Sequence, residues 1–328
     1  MNSALSPRNS SRHRPRRTTP SYPAKRISTV HALSMALEYP EKQLVEIARS
    51  SDQYFRLHDR IEKPDGTTRE LFDLNPPLKV IQQRINAHFL KRCRYPEYLT
   101  GSLPRSSYIK NAARHAGQGT VLTIDATNFF PSISDELVFR IWNQLFKFGE
   151  APSQVLTQLC TRSGFLAQGA PVASYLANLA FWDIEPHIFR ELESRGFQYT
   201  RYVDDIIVSR RRKLSSQEKS WAIRTAQKVF LSKGLQIKTR KTNVMDRNKQ
   251  QIANNLIVNS GRPSGGKDKK GRLRAELNQL RQDLQNQTSS IETLQKSYTS
   301  LRGKLLHYRS TNPEPAKKLI AELDLLKF

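Results

Sequence analysis

Two adjacent acids, Asp204 and Asp205, stand in the stretch QYTRYVDDIIVS (198–209) between aromatic and β-branched flanks. Strands disfavour Asp, and neighbouring carboxylates repel one another, so something must hold the pair in place. One reading is a hairpin turn, where Asp is ordinary. The other is a metal-dependent site. Asp125 also ends an apolar run (Val121, Leu122, Ile124) and is followed by Phe129-Phe130. If the two strands share a sheet, three carboxylates converge at its edge, which is costly unless cations neutralise them. Two Mg²⁺ ions roughly 3.5–4 Å apart are the arrangement of phosphoryl-transfer enzymes: one activates an attacking hydroxyl and both stabilise the leaving oxygens. Oxygen donors with no nearby His or Cys favour Mg²⁺ over zinc.

The elements that must position these acids follow from patterning. GTVLTIDATNFFPSI (119–133) reads as a strand ending at Asp125 and running into a loop. The opening stretch reads as two strands meeting at Asp204-Asp205. Leu33 with Leu37, then Leu44, Ile47 and Ala48, give helical spacing on either side of Pro40. Asp65-Gly66 signals a hairpin turn, followed by a short strand and a helix after Pro77. Ser134 is a plausible N-cap for a helix carrying Leu137, Ile141 and Leu145 on one face. GFLAQGAPVASYLANLAFWDI (164–184) is a Gly/Pro-bearing loop leading into an apolar helix, and another helix covers about 216–233. GLQIKTRKTNVM and QQIANNLIVN look strand-like. A polar Gly-rich linker at 260–272 precedes helical patterning in which Leu273, Leu277, Leu280 and Leu284 form a stripe; it resumes at 291–309 and 315–327.

Composition narrows the partners. The 328 residues hold 54 Lys and Arg against 29 Asp and Glu, a formal charge of +25 and a pI near 10.3. Such an excess predicts attraction to polyanions, nucleic acid first. Residues 1–29 form a basic arm rich in Ser, Arg and Pro, expected to be disordered. No apolar run approaches the roughly 20 residues of a membrane span, and no secretory h-region is present. Cys93 and Cys160 suggest neither a disulfide framework nor a zinc site, so a reducing, cytoplasmic setting is expected.

Four segments, in order, resemble the motifs of reverse transcriptases. YVDD (202–205) resembles their YxDD box, and DATNFFPSI (125–133) their first palm-acid motif. FLAQGAPVASYLANLAF (165–181) is similar to their QG-containing nucleotide pocket, and GLQIKTRKTNV (234–244) to the lysine-bearing segment that follows. NAARH (111–115) matches the NAxxH box of bacterial retron reverse transcriptases. One departure stands out: Ala253-Asn254-Asn255 replaces the Val-Thr-Gly usual in retrons, in a segment the resemblance links to recognition of the cognate RNA.

The resemblance implies an α+β fold, a right-hand polymerase. Fingers would cover about 60–120 within a fingers-and-palm unit at 30–260. The palm would be a ferredoxin-like antiparallel sheet with helices, and a helical, RNA-binding thumb would cover 261–328. It also implies roles. Asp125, Asp204, Asp205 and the Ala126 carbonyl would hold two Mg²⁺ ions. Phe130 would exclude a 2′-OH by its bulk, with Phe129 turned to the core. Gln168 and Gly169 would line the nucleotide pocket, and Arg69 and Lys63 would hold the triphosphate. Lys241 would donate a proton to pyrophosphate or offset its charge. Asn111 and His115 would be structural or contact RNA. Arg272, Arg274, Arg281, Lys304 and Arg309 are candidates for tracking an RNA–DNA backbone.

The expected reaction is attack of a terminal hydroxyl on the α-phosphate of a dNTP. In retrons a structured noncoding RNA is template and, through an internal 2′-OH, primer; the product is branched RNA-linked DNA (msDNA), and such systems act in antiphage defence with an effector protein. A group II intron-like or other defence-associated bacterial reverse transcriptase is the near rival. A non-catalytic RNA-binding scaffold is the rival from another class.

Overall fold

The computed structural model describes residues 17–62, 66, 68–238, 240, 242–286 and 288–326. Lys63, Lys241, the Asp65 turn position and residues 1–16 of the expected arm lie outside them.

Residues 17–29, expected as part of a disordered arm, form instead a strap across the body. Ser21 and Arg94 exchange backbone hydrogen bonds at 3.1 and 2.8 Å, and the Ile27 carbonyl accepts the Gly149 N–H at 2.8 Å. The Tyr22 ring lies 4.5 Å from Phe146 and 5.5 Å from Phe148. Two apolar anchors in a polar segment supply the burial that composition alone does not suggest.

Thr29 then caps α1 (Val30–Leu37), its hydroxyl accepting the Ala32 N–H at 3.1 Å. Pro40 separates it from α2 (Glu41–Arg49), and the predicted apolar positions of both helices are buried. An antiparallel ribbon follows, β1 (Phe55–Glu62) and β2 (Thr68–Leu74), paired from Phe55–Leu74 to Glu62–Thr68 with a register shift between Leu57 and Asp59. Then come α3 (Leu78–His88) and α4 (Tyr108–Arg114).

The next segment builds a sheet with helices packed on it. Strand β3 (Thr120–Asp125) is followed by α5 (Asp135–Arg140), α6 (Glu150–Cys160), α7 (Ala173–Leu179) and α8 (Glu185–Ser194). The hairpin β4 (Gln198–Tyr202) and β5 (Asp205–Arg210) precedes α9 (Ser216–Leu231) and β6 (Asn243–Asp246). Among the described residues the sheet order is β4-β5-β3-β6, every neighbour antiparallel. In sequence terms that is 2-3-1-4, the ferredoxin-like arrangement. One face carries Leu122, Ile124, Ile206 and Val208 into the main core. The other carries Val121 and Ile207 into a small cluster with Ala112 of α4 and Ala253, Leu256 and Val258. That small cluster caps only one end of the face, and the carboxylates emerge at the other end.

QQIANNLIVN forms a tight hairpin rather than one strand: β7 (Ile252–Ala253) and β8 (Leu256–Ile257). Asn254 and Asn255 both have positive φ, 47° and 60°, the signature of a type I′ turn. Asn and Asp reach this region more readily than most other side-chain-bearing residues. The departure from Val-Thr-Gly therefore keeps a backbone that glycine would also allow.

The chain ends in α10 (Gly266–Gln285), α11 (Ile291–Arg309) and α12 (Pro313–Asp324), which share their own core of Leu273, Leu277, Leu280, Leu301, Leu305 and Leu319 among others. The Tyr108 ring stacks on His307 at 5.4 Å, with 2.6 Å between its hydroxyl and Nε2, joining this bundle to α4.

Candidate active site

Asp125 is the last residue of β3 and pairs directly with Asp205, the first of β5. Residues opposite one another in a ladder share a face, so both carboxylates stand on the face of Val121 and Ile207. Tyr202 also pairs with Asp205, which leaves Val203 and Asp204 as the two-residue tip between β4 and β5. Val203 has φ of 58°, a conformation that costs a β-branched residue on the order of 1–3 kcal/mol.

Asp125, Asp204 and Asp205 all line a cleft of about 880 Å³, and Ala126 lies beside them. Thr127 N–H bonds the Gln236 carbonyl and Lys238 N–H bonds the Asp125 carbonyl, so Ala126 and Ile237 form a non-hydrogen-bonded pair. That geometry turns the Ala126 carbonyl away from Ile237, to the side of the hairpin tip. Among the described residues, no three acidic, imidazole or thiolate groups gather tightly enough to enclose a metal by themselves. Mg²⁺ does not require such a cage. It takes one or two carboxylates and completes its shell with water and substrate phosphate. The oxygen-only donor set at this sheet end fits that demand.

Phe130 lines the cleft, while Phe129 is buried against Phe181 and Phe230 at 6.1 and 5.9 Å. Gln168 lines the cleft and Gly169 does not. The Gln168 carbonyl accepts the Phe72 N–H at 2.8 Å. Gly169 has φ of 102°, and a Cβ there would strike the Phe72 carbonyl oxygen. The close approach that requires glycine is thus made by the β2 backbone. Arg69, on β2, lines the same cleft, and Arg162 lies 4.4 Å over the Phe72 ring.

An RNA-contacting role for Asn111 and His115 does not survive, because both are fully buried. His115 bridges the hairpin that bears the acids: Nδ1 lies 2.7 Å from Ser209 Oγ and Nε2 2.7 Å from Thr200 Oγ1. Burial, helped by the Arg114 charge, lowers its pKa to about 3. A neutral ring between two hydroxyls satisfies both nitrogens. The Asn111 side chain donates to Asn254 Oδ1 at 2.5 Å, tying the NAARH segment to the Asn-Asn turn.

In the helical bundle, Arg272 and Arg274 are exposed on α10, where phosphates can reach them. Lys304 pairs with Glu276 at 2.8 Å and Arg281 with Glu322 at 3.7 Å, and both pairs are partly exposed on the bundle. Sequence reasoning assigns no place in the cleft to Lys238, Arg162, Tyr202 and Asn255, all of which line it. The Asn-Asn pair is a readable turn signal and Lys238 lies in the same basic run as Lys241, but nothing in the sequence marks Arg162.

A ferredoxin-like sheet with acids at its hairpin tip, a ribbon that lines the same cleft, and a helical bundle after them define the right-hand polymerase. The chain belongs to the reverse transcriptase family: residues 61–260 match the profile described as "Reverse transcriptase (RNA-dependent DNA polymerase)". It is 32% identical over 251 residues to the retron Se72 reverse transcriptase of Salmonella heidelberg (strain 579083-10), covering 76% of this chain and 66% of that one. It is 28% identical to the retron Ec48 enzyme of Escherichia coli, covering 91% and 79% of the two chains. With the retron Ec86 enzyme of Escherichia coli the identity is 26%, over 92% and 90%. No helix among the described residues is long and apolar enough to cross a membrane.

Proposed function

We propose that this chain is a retron reverse transcriptase. It copies a structured noncoding RNA, which is both template and primer, into RNA-linked single-stranded DNA, and it works beside an effector protein in antiphage defence. The observation that carries the polymerase reading is the Asp125–Asp205 pair with Asp204 at the adjoining tip, lining one cleft together with Arg69. The retron reading is supported by similarity to three retron enzymes and by the packing of the NAARH segment on the Asn254-Asn255 turn.

Two Mg²⁺ ions, when bound by Asp125, Asp204, Asp205 and the Ala126 carbonyl, supply charge neutralisation and an acidified primer hydroxyl. The protein's own residues do the rest. Arg69 draws the triphosphate across the cleft, with Lys63 assigned by motif as a second cation. Gln168 offers a hydrogen-bonding side chain at the pocket wall, and the Phe130 ring occupies the space a 2′-OH would need. Lys241 is assigned by motif to meet departing pyrophosphate. Lys238, whose N–H holds the Asp125 carbonyl at 3.0 Å, brings a further cation to the same wall.

The test is extension of a primer on an RNA template by wild-type protein and by Asp204→Asn. Full synthesis by the variant removes the polymerase reading. Sequencing of co-purified nucleic acid should recover a 2′–5′ branched RNA–DNA molecule; unbranched product alone favours a group II intron-like enzyme. Loss of phage protection in the Asp204→Asn strain would tie synthesis to defence.

A further inference from the structure

Arg201 is a charged side chain with no solvent exposure, two positions before the strained Val203. Its five N–H groups meet five acceptors. Nε donates to Glu185 Oε1 at 2.7 Å. One terminal nitrogen donates to Glu185 Oε2 at 2.7 Å and to the Asn178 carbonyl at 2.9 Å. The other donates to the Val203 carbonyl at 2.8 Å and to the Ala177 carbonyl at 3.4 Å. Glu185, also buried, takes a further hydrogen bond from the Tyr199 hydroxyl at 2.7 Å.

These partners come from three places. Ala177 and Asn178 present carbonyls from the last turn of α7, the helix that follows the Gln168-Gly169 loop. Glu185 opens α8. Val203 is the first tip residue beside Asp204. The tip is closed from the other side too: a Cβ on Gly101 would meet Val203 N, and the Asn178 amide holds the Gly101 carbonyl at 2.8 Å. A buried ion pair adds little net stability over apolar residues of equal volume. A planar fork that grips a strained carbonyl beside a catalytic acid does something an apolar pair cannot.

We propose that Arg201, anchored by Glu185, is a positioning residue: it holds the Val203 carbonyl, keeps the tip in its left-handed conformation, and so presents Asp204 to the cleft. The same grip couples the end of α7 to the acid-bearing turn. This rests on the polymerase reading of Asp204.

The experiment compares wild type, Arg201→Lys and the double variant Glu185→Met/Arg201→Met. Lysine keeps the charge but loses the fork. The double variant removes both charges but also leaves the Val203, Ala177 and Asn178 carbonyls and the Tyr199 hydroxyl without these partners, so it is expected to stay folded and to melt below wild type. Mn²⁺ binding to each protein is read by electron paramagnetic resonance, and the Mg²⁺ needed for half-maximal primer extension is measured in parallel. The expected result is weakening of about 10–100-fold in both, the scale for losing the partner that orients a ligand, with a smaller change in KM for dNTP. Folded variants with wild-type Mn²⁺ binding and Mg²⁺ requirement overturn the proposal. So does failure of both variants to fold, since the pair would then be a stability element. Asp204→Asn runs alongside: if it still makes DNA, the polymerase reading falls, whatever Arg201 does.

Discussion

Asp125 and Asp205 face each other as the terminal pair of the β3–β5 ladder. Like charges directly opposed across two strands destabilise a sheet. The fold accepts this at the sheet end where the small apolar cluster stops, and Val203 adds backbone strain one residue from Asp204.

Asp125→Asn should therefore separate stability from activity. In metal-free buffer the variant is expected to gain up to about 1 kcal/mol, from relief of the opposed charges. Primer extension should fall by at least ~10²-fold, the scale of losing one group aimed at the developing charge. Urea unfolding and single-turnover extension check the two halves.

Phe130→Val should open the space beside the sugar. Incorporation of ribonucleotides relative to deoxyribonucleotides is expected to rise about 10–100-fold, the range for one altered apolar contact in a pocket. Competing kcat/KM values for rNTP and dNTP on the same template measure it.

His115 should make the fold acid-sensitive. Its pKa is about 3 in the folded chain and about 6.5 when unfolded, so between these values the unfolded state binds the extra proton. The His115 contribution is fully present above pH ~6.5. It is lost as pH falls toward 3, at up to about 1.4 kcal/mol per pH unit. Unfolding free energies at pH 7 and pH 5 should diverge for wild type and converge for His115→Gln.

Gly169→Ala meets both a positive φ and the Phe72 carbonyl oxygen. A loss of about 1–3 kcal/mol is expected. KM for dNTP should rise as well, because the neighbouring Gln168 would shift with the loop. Thermal unfolding and steady-state kinetics on one template read the two effects separately.

Arg272→Gln and Arg274→Gln should weaken RNA–DNA binding without regard to sequence. Each lost phosphate contact lowers the slope of log affinity against log salt by about 1. A salt titration of hybrid binding reads the change.

Much of the site is legible because its chemistry breaks local rules. Acids at strand ends, an Asp pair amid β-branched residues and an aromatic pair with one ring turned inward are visible in sequence, and the structure brings Asp125, Phe130, Gln168 and Asp204 to one cleft. Phe129 and Phe130 do point apart, but in a turn that leads into a short 3-10 helix (Phe130–Ser132) and not by strand alternation. What stays hidden is long-range. Arg201 carries no role in the sequence and Asn111 and His115 stay open between structural and RNA-contacting, because their partners Glu185, Asn254 and Thr200 are 16, 143 and 85 positions away. Burial of a polar group is decided by such partners, not by its neighbours in the chain. Residues 17–29 look disordered for the same reason: Tyr22 finds its aromatic partners, Phe146 and Phe148, far along the chain.

The hydrogen bond from Phe72 to Gln168 makes the β1–β2 ribbon a lever with its fulcrum at the pocket wall. Arg69 lies toward the free end and Gln168 sits at the pivot. A triphosphate pulling on Arg69 would load the loop that shapes its own binding pocket. Gripping the nucleotide and setting the pocket wall would then be one mechanical event.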